Sequence, residues 1–148
     1  MSLTGNPNPA PVICNCLVLR QAARRVTQLY DQALAPEDIR ITQFPILALL
    51  RADGTMLMKD LAAKLVMDRA TLGHNLRPLE ARGLVAIAPG KDRRGRMVSL
   101  TDEGAALLRR AAPLWRAAQQ RFEDGIGQDE SRALREALGR VAHADYGP

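Results

Sequence analysis

The sequence predicts a mainly α-helical chain carrying one small β-hairpin. Three observations support that prediction. Apolar residues recur every three or four positions from Val12 onward, as amphipathic helices require. Two short strand-like runs, the apolar 84–88 and the mixed 96–100, flank a tip rich in Pro, Gly and charge, as a hairpin requires. Gly, Pro and capping residues punctuate the rest at helical lengths.

In chain order, residues 1–11 hold Pro7, Pro9 and Pro11 among Asn and Gly and read as a flexible arm. Val12, Cys16, Leu19, Ala23, Val26, Tyr30 and Ala33 form a heptad-like seam, which predicts a long helix from Val12 to Ala35 made to pack on another helix. Pro36 ends it. Thr42 is the expected cap of a second helix bearing Phe44, Leu47 and Leu50, with Pro45 tolerated in its first turn. Asp53-Gly54 supplies a left-handed C-cap. A short third helix spans Met58 to Leu65. Asp68 caps a fourth, Arg69 to Ala81, which Gly83 closes. Pro78 removes one of its backbone hydrogen bonds and is expected to bend its second half. The hairpin follows. Thr101-Asp102-Glu103 opens a fifth helix with a hydroxyl cap and acids suited to the dipole. That helix reaches Asp124, with Pro113 expected to kink it and Gly125 and Gly127 to break the chain. A last helix begins at Asp129 or Ser131 and carries Leu134, Leu138 and Val141.

The charge is local. Between Lys59 and Arg96 nine basic and four acidic residues leave +5, the whole net charge of the 148-residue chain. A basic zone in an otherwise neutral chain points to a polyanionic partner. Aromatics at 3% are too few for a platform that stacks single-stranded bases. No apolar run is long enough to span a membrane. No basic segment precedes an apolar stretch at the N-terminus, so no secretory signal is expected. Cys14 and Cys16 cannot make a disulfide framework, and a reducing, cytoplasmic location follows as the default.

The basic zone coincides with the order helix, short helix, turn, helix, β-hairpin, which is a winged helix-turn-helix. That arrangement presents one helix to the major groove of DNA. Its hairpin tip reaches the neighbouring minor groove, whose negative potential favours Arg. The fold class is then a winged helix-turn-helix module, residues 37–101, joined to a helical dimerisation region built from 12–36 and 102–145.

Several fragments resemble the MarR family of bacterial transcriptional regulators. Asp92-Arg93-Arg94-Gly95-Arg96-Met97-Val98-Ser99-Leu100-Thr101 fits the family's wing pattern D-x-R-x5-L-T. Leu61-Ala62, Arg69-Ala70-Thr71-Leu72, Leu79-Glu80-Ala81-Arg82-Gly83-Leu84-Val85 and Thr101-Asp102-Glu103-Gly104 match its other landmarks in order. The resemblance covers residues 12–145. It implies a homodimer whose first, fifth and sixth helices interlock and whose winged modules read a pseudo-palindromic site in double-stranded DNA.

The residues expected to meet DNA are Arg69, Ala70, Thr71, Gly73, His74, Asn75 and Arg77 on the fourth helix, and Asp92, Arg93, Arg94 and Arg96 in the wing. Arg69 and Arg77 suit phosphate or guanine, Asn75 suits adenine, and Ala70 and Thr71 suit a thymine methyl. Gly73-His74 departs from the Thr-Arg of many relatives. Gly73 permits close approach to the groove at a helix-propensity cost of about 1 kcal/mol. Arg94 is the expected minor-groove residue, held by Asp92 through a charge-assisted hydrogen bond, while Arg93 and Arg96 suit phosphates.

The resemblance also implies repression relieved by a small aromatic or phenolic effector, bound between the dimer region and the winged module. Arg20, Ala23, Phe44, Leu47 and Trp115 are the expected lining, with Arg20 suited to a carboxylate. An alternative switch is a thiol. Cys16, with Tyr30 further along the same helix, resembles the hydroperoxide-sensing branch of the family. Cys14 is two positions away on another face of a helix, so a Cys14–Cys16 bridge is geometrically poor. Neither His74 nor His143 sits in a catalytic pattern, and no phosphate loop, metal-ligand spacing or cofactor motif occurs. An enzyme is therefore not expected. A winged-helix module that binds a protein partner without specific DNA binding is the alternative of another class.

Overall fold

The computed structural model describes residues 13–148, so the expected N-terminal arm and Val12 lie outside the described residues. Six helices and three short strands follow one another: α1 (Asn15–Leu34), α2 (Phe44–Asp53), β1 (Met56–Leu57), α3 (Met58–Leu65), α4 (Arg69–Ala81), β2 (Val85–Pro89), β3 (Arg96–Leu100), α5 (Asp102–Ile126) and α6 (Gln128–His143).

α1 begins later than its apolar seam suggests. Cys14 is extended (φ −119°, ψ 109°), and its thiol accepts the Leu17 N–H at 3.4 Å, which makes it the cap. A 3-10 turn at Ala35–Glu37 carries Pro36 and ends α1. Thr42 is not the cap of α2. Arg40 and Gln43 form a turn in which the Arg40 carbonyl accepts the N–H groups of Gln43 and Phe44. The backbone thus satisfies donors that a hydroxyl would otherwise take, and Gln43 precedes the helix without a side-chain cap. Gly54 does hold a positive φ of 81°, but with ψ −168° rather than left-handed helical geometry.

β1 was not foreseen, because two residues carry no readable period. It pairs antiparallel with β3 (Met56 opposite Val98), and β3 pairs with β2 from Val85–Leu100 to Pro89–Arg96. The hairpin is therefore a three-stranded sheet in the order β1-β3-β2. Its central Val98 is fully buried.

Thr101 anchors the sheet to α5. Its hydroxyl oxygen accepts the Gly104 N–H at 3.0 Å and donates to the Gly83 carbonyl at 2.6 Å. Gly104 is required there, since a Cβ would lie 2.0 Å from the Leu84 carbonyl oxygen. α5 runs as one helix through Pro113 and also through Gly125, so the expected break at Gly125 does not occur. Gly127, at φ 96°, makes the turn instead, and α6 starts directly after it.

The core gathers Leu34, Ile46, Leu47, Leu61, Leu72, Leu76, Leu79, Val98 and Leu107, all almost wholly inaccessible to solvent. It joins the winged module to α5 and the end of α1. The apolar seam of α1 divides accordingly: Tyr30 and Leu34 are buried, whereas Cys16, Leu19 and Ala23 are exposed. Leu17, Val18, Leu134, Leu138 and Val141 on α1 and α6 are exposed as well.

Candidate nucleic-acid interface

α4 is built to show one face. Asp68 accepts the Thr71 N–H at 2.7 Å and caps the helix. That backbone hydrogen bond holds its carboxyl below the usual carboxylate value. Leu72, Leu76 and Leu79 turn into the core. Helical periodicity then leaves Arg69, Ala70, Thr71, His74 and Arg77 exposed, with Gly73 and Asn75 half-exposed. α4 continues unbroken through Pro78. The Asn75 amide donates to the Thr71 carbonyl at 3.1 Å. A Cβ at Gly73 would meet nothing within 4 Å, so packing inside the chain does not call for glycine there.

Gly95 at φ 68°, together with Asp92 (φ 64°) and Arg93 (φ 58°), bends the tip between β2 and β3. Asp92, Arg93, Arg94 and Arg96 are all exposed. The expected bond from Asp92 to Arg94 is not formed: among the described residues Asp92 makes neither an ion pair nor a side-chain hydrogen bond. Its left-handed backbone is part of the bend itself.

Arg94 and Arg96 of the wing meet Arg69 of α4 around a cleft of about 330 Å³ floored by Leu57 and Met58. Lys59, in the first turn of α3, completes it. None of these four cations pairs with a carboxylate among the described residues. Lys64, by contrast, is tied to Asp53 at 2.7 Å. Unpaired cations drawn from three elements around one cleft suit the backbone of a nucleic acid. The charge count contained Lys59, but only the fold reveals its position beside the wing.

The expected effector lining is dispersed. Leu47 and Phe44 belong to the core, while Arg20 and Ala23 are exposed on α1. Arg20 precedes Val26, the first α1 residue of a cleft that forms further along, by six residues, about 9 Å along the helix, and is not among its lining. That cleft, about 310 Å³, lies between α1, α5 and α6 and is lined by Tyr30, Ile41, Trp115, Gln119, Phe122 and Arg135 among others. Trp115 is the expected lining residue that it retains. Tyr30 donates its hydroxyl to Gln119 Oε1. Burial, and then the charge of Glu123, raise its phenol above the ordinary value, so it remains a donor at neutral pH. Arg135 sits 3.4 Å from Glu123. Aromatic walls with a cation and two hydrogen-bonding side chains suit an aromatic anion. Gln119, Phe122 and Arg135 carry no sequence signal of their own, because only the packing of α5 and α6 brings them together.

Cys16 is exposed. Tyr30 lies fourteen residues on, about 21 Å along α1, and is engaged by Gln119, so one protomer does not bring this pair together. Cys14 lies just outside the helix as its cap, with its thiol turned to the Leu17 N–H.

A model of the MarR family matches residues 37–95. The chain is 30% identical over 129 residues to the transcriptional repressor NicR of Pseudomonas putida, covering 86% of this chain and 82% of that one. Among solved structures it resembles the M. tuberculosis transcriptional regulator MosR in complex with DNA, at TM-score 0.79 and 36% identity over 90% of this chain and 99% of that one. It also resembles Bordetella bronchiseptica BpsR, whose DNA binding is regulated by 6-hydroxynicotinic acid. There the TM-score is 0.81 and the identity 26%, covering 92% of this chain and 98% of that one. Wing, capped α4 and flanking helices thus agree in sequence and in shape with one group of proteins, and the chain belongs to the MarR family of transcriptional regulators.

Proposed function

We propose that the chain acts as a homodimer on pseudo-palindromic double-stranded DNA, repressing transcription until a small aromatic or phenolic ligand releases it. The observation that carries this reading is the convergence of Arg69, Arg94, Arg96 and Lys59, all unpaired among the described residues, beside the exposed face of α4. α4 enters the major groove, and Arg94 reaches the minor groove beside it. The exposed apolar faces of α1 and α6 supply the surface through which two copies join, so residues 12–36 and 102–145 form the dimer region and residues 37–101 the reading module. The cleft at Trp115 and Arg135 takes the ligand. A repressor of this kind works in the cytoplasm, where bacterial DNA lies, and its task is regulation rather than catalysis.

Selection from random duplexes, followed by anisotropy titrations between about 50 and 200 mM salt, tests the reading. Log K should fall linearly with log salt, by about 0.9 for each phosphate neutralised. A flat slope overturns DNA binding and favours a protein partner. In the same titration 6-hydroxynicotinic acid and simple hydroxybenzoates serve as ligand probes. Release by none of the aromatic acids overturns the effector half.

A further inference from the structure

The segment between α1 and α2 is gripped by three elements. Asp31 of α1 accepts the Ile41 N–H at 2.8 Å. Arg110 of α5 places its Nε 3.1 and 3.2 Å from the two carboxylate oxygens of Glu37. Arg82, at the C-terminal end of α4, donates from its two terminal nitrogens to the Asp38 carbonyl at 2.5 Å and the Glu37 carbonyl at 3.2 Å. Glu37 is therefore held by both cations, at its carboxylate by Arg110 and at its carbonyl by Arg82. Asp38 adopts a left-handed backbone (φ 51°), and its N–H closes the turn on Ala35 at 2.9 Å.

Leu72, Leu76 and Leu79 hold α4 on the core. Such contacts are non-directional, so the exact pitch of the helix also depends on directional bonds such as that from the Thr101 hydroxyl to the Gly83 carbonyl. A planar guanidinium fork on two successive carbonyls adds direction. Arg82 is separated in sequence by more than forty residues from the carbonyls it meets, so the fork ties distant parts of the chain.

We propose that Arg82 is a positioning residue for the DNA-reading helix. It fastens the C-terminal end of α4 to the α1–α2 connection and, through Glu37 and Arg110, to α5. It thereby sets the separation of the two reading helices in the dimer. The proposal rests on the reading that α4 enters DNA as one of a symmetric pair. The same connection supplies Ile41 to the cleft between α1, α5 and α6, so whatever fills that cleft touches the segment Arg82 holds.

The test varies half-site spacing. The wild-type chain selects its duplex from a random pool, and the two half-sites are then moved apart by one base pair. Wild type is expected to lose about tenfold or more in affinity, because spacing is a geometric demand of a rigid dimer. Arg82→Ala is expected to bind the best-spaced duplex about tenfold more weakly and the longer one almost equally well. An isolated half-site should be bound within about twofold of wild type. Arg82→Lys keeps the charge but cannot form the fork, so it should show the same flattened spacing preference. Glu37→Gln leaves every charge on α4 in place and should flatten it to a lesser degree. Thermal unfolding of each variant identifies any that fails to fold; if Arg82→Ala does, the Lys and Gln variants decide.

Two results overturn the proposal. One is a wild-type spacing preference in the folded Arg82 variants. The other is a loss on the isolated half-site as large as on the full duplex, which would make Arg82 a plain phosphate contact. A wild-type chain that selects no duplex overturns the regulator reading itself, and the proposal with it.

Discussion

Phe44 of α2 lies against Trp115 of α5, ring centroids 5.6 Å apart and planes 10° from parallel. This stack joins the winged module to the long helix and forms a wall shared by the core and the α1–α5–α6 cleft. Trp115→Ala should lower unfolding free energy by about 2–3 kcal/mol, somewhat less than for a fully buried ring. Urea unfolding at an unchanged m-value checks it. Trp115 is the single tryptophan of the chain, so its emission also reports the cleft. Hydroxybenzoates that release DNA should change that emission at the same concentrations, whereas release without a change places the ligand elsewhere.

Arg94 and Lys64 offer a controlled comparison. Arg94 has no acidic partner among the described residues, whereas Lys64 is bound to Asp53 at 2.7 Å. Arg94→Ala should weaken binding to the selected duplex by about tenfold or more, as loss of a groove contact does. Lys64→Ala should change it by less than about twofold, since an exposed paired lysine contributes little. Both are titrated at matched salt, and equal affinities would remove Arg94 from the minor groove.

The cap of α4 makes a pH prediction. Asp68 accepts the Thr71 N–H, and its carboxyl is depressed below 3.8, first by the backbone hydrogen bond from Thr71. A depressed acid stabilises the fold above its unfolded value and loses that contribution as pH falls through its folded value. Asp68→Ala should therefore unfold at a lower temperature than wild type at pH 7. The gap should close as pH drops below the ordinary carboxylate range. Thermal melts at pH 7, 5 and 3 read it, and a gap that persists unchanged at pH 3 would assign the effect to something other than the ionised cap.

Much of this was legible in the residues because local chemistry decides it. Asp68 and Thr101 are caps whose side chains bond the third residue onward, and such caps are written in consecutive positions. The boundaries of α4 and the hairpin strand Arg96–Leu100 were readable for the same reason. What escaped depends on distant partners. β1 exists because β3 offers it a ladder. Thr42 loses its capping role because the Arg40 carbonyl serves instead. The five residues read as one effector lining do not gather around one cleft, because Phe44 and Leu47 face a core that α5 completes. Arg135 reaches the cleft only through the turn at Gly127.

The exposed apolar face yields the last prediction. Leu134 and Leu138 of α6 and Leu17 of α1 stand 39%, 38% and 40% exposed, so each leaves apolar area in water within one protomer. Helical spacing groups Leu134, Leu138 and Val141 on one side of α6. Burial of that side against a second copy would remove it from water. Leu138→Asp places a charge where the partner must pack, and charge burial without a counterion is strongly unfavourable. The variant should sediment as a monomer at micromolar concentration while keeping the helical content of wild type. It should also lose about a hundredfold or more in affinity for a two-half-site duplex, because the second reading head no longer arrives tethered to the first. Its affinity for an isolated half-site should stay near that of one wild-type module, and a Leu138→Asp chain that still sediments as a dimer would move the interface off this face of α6.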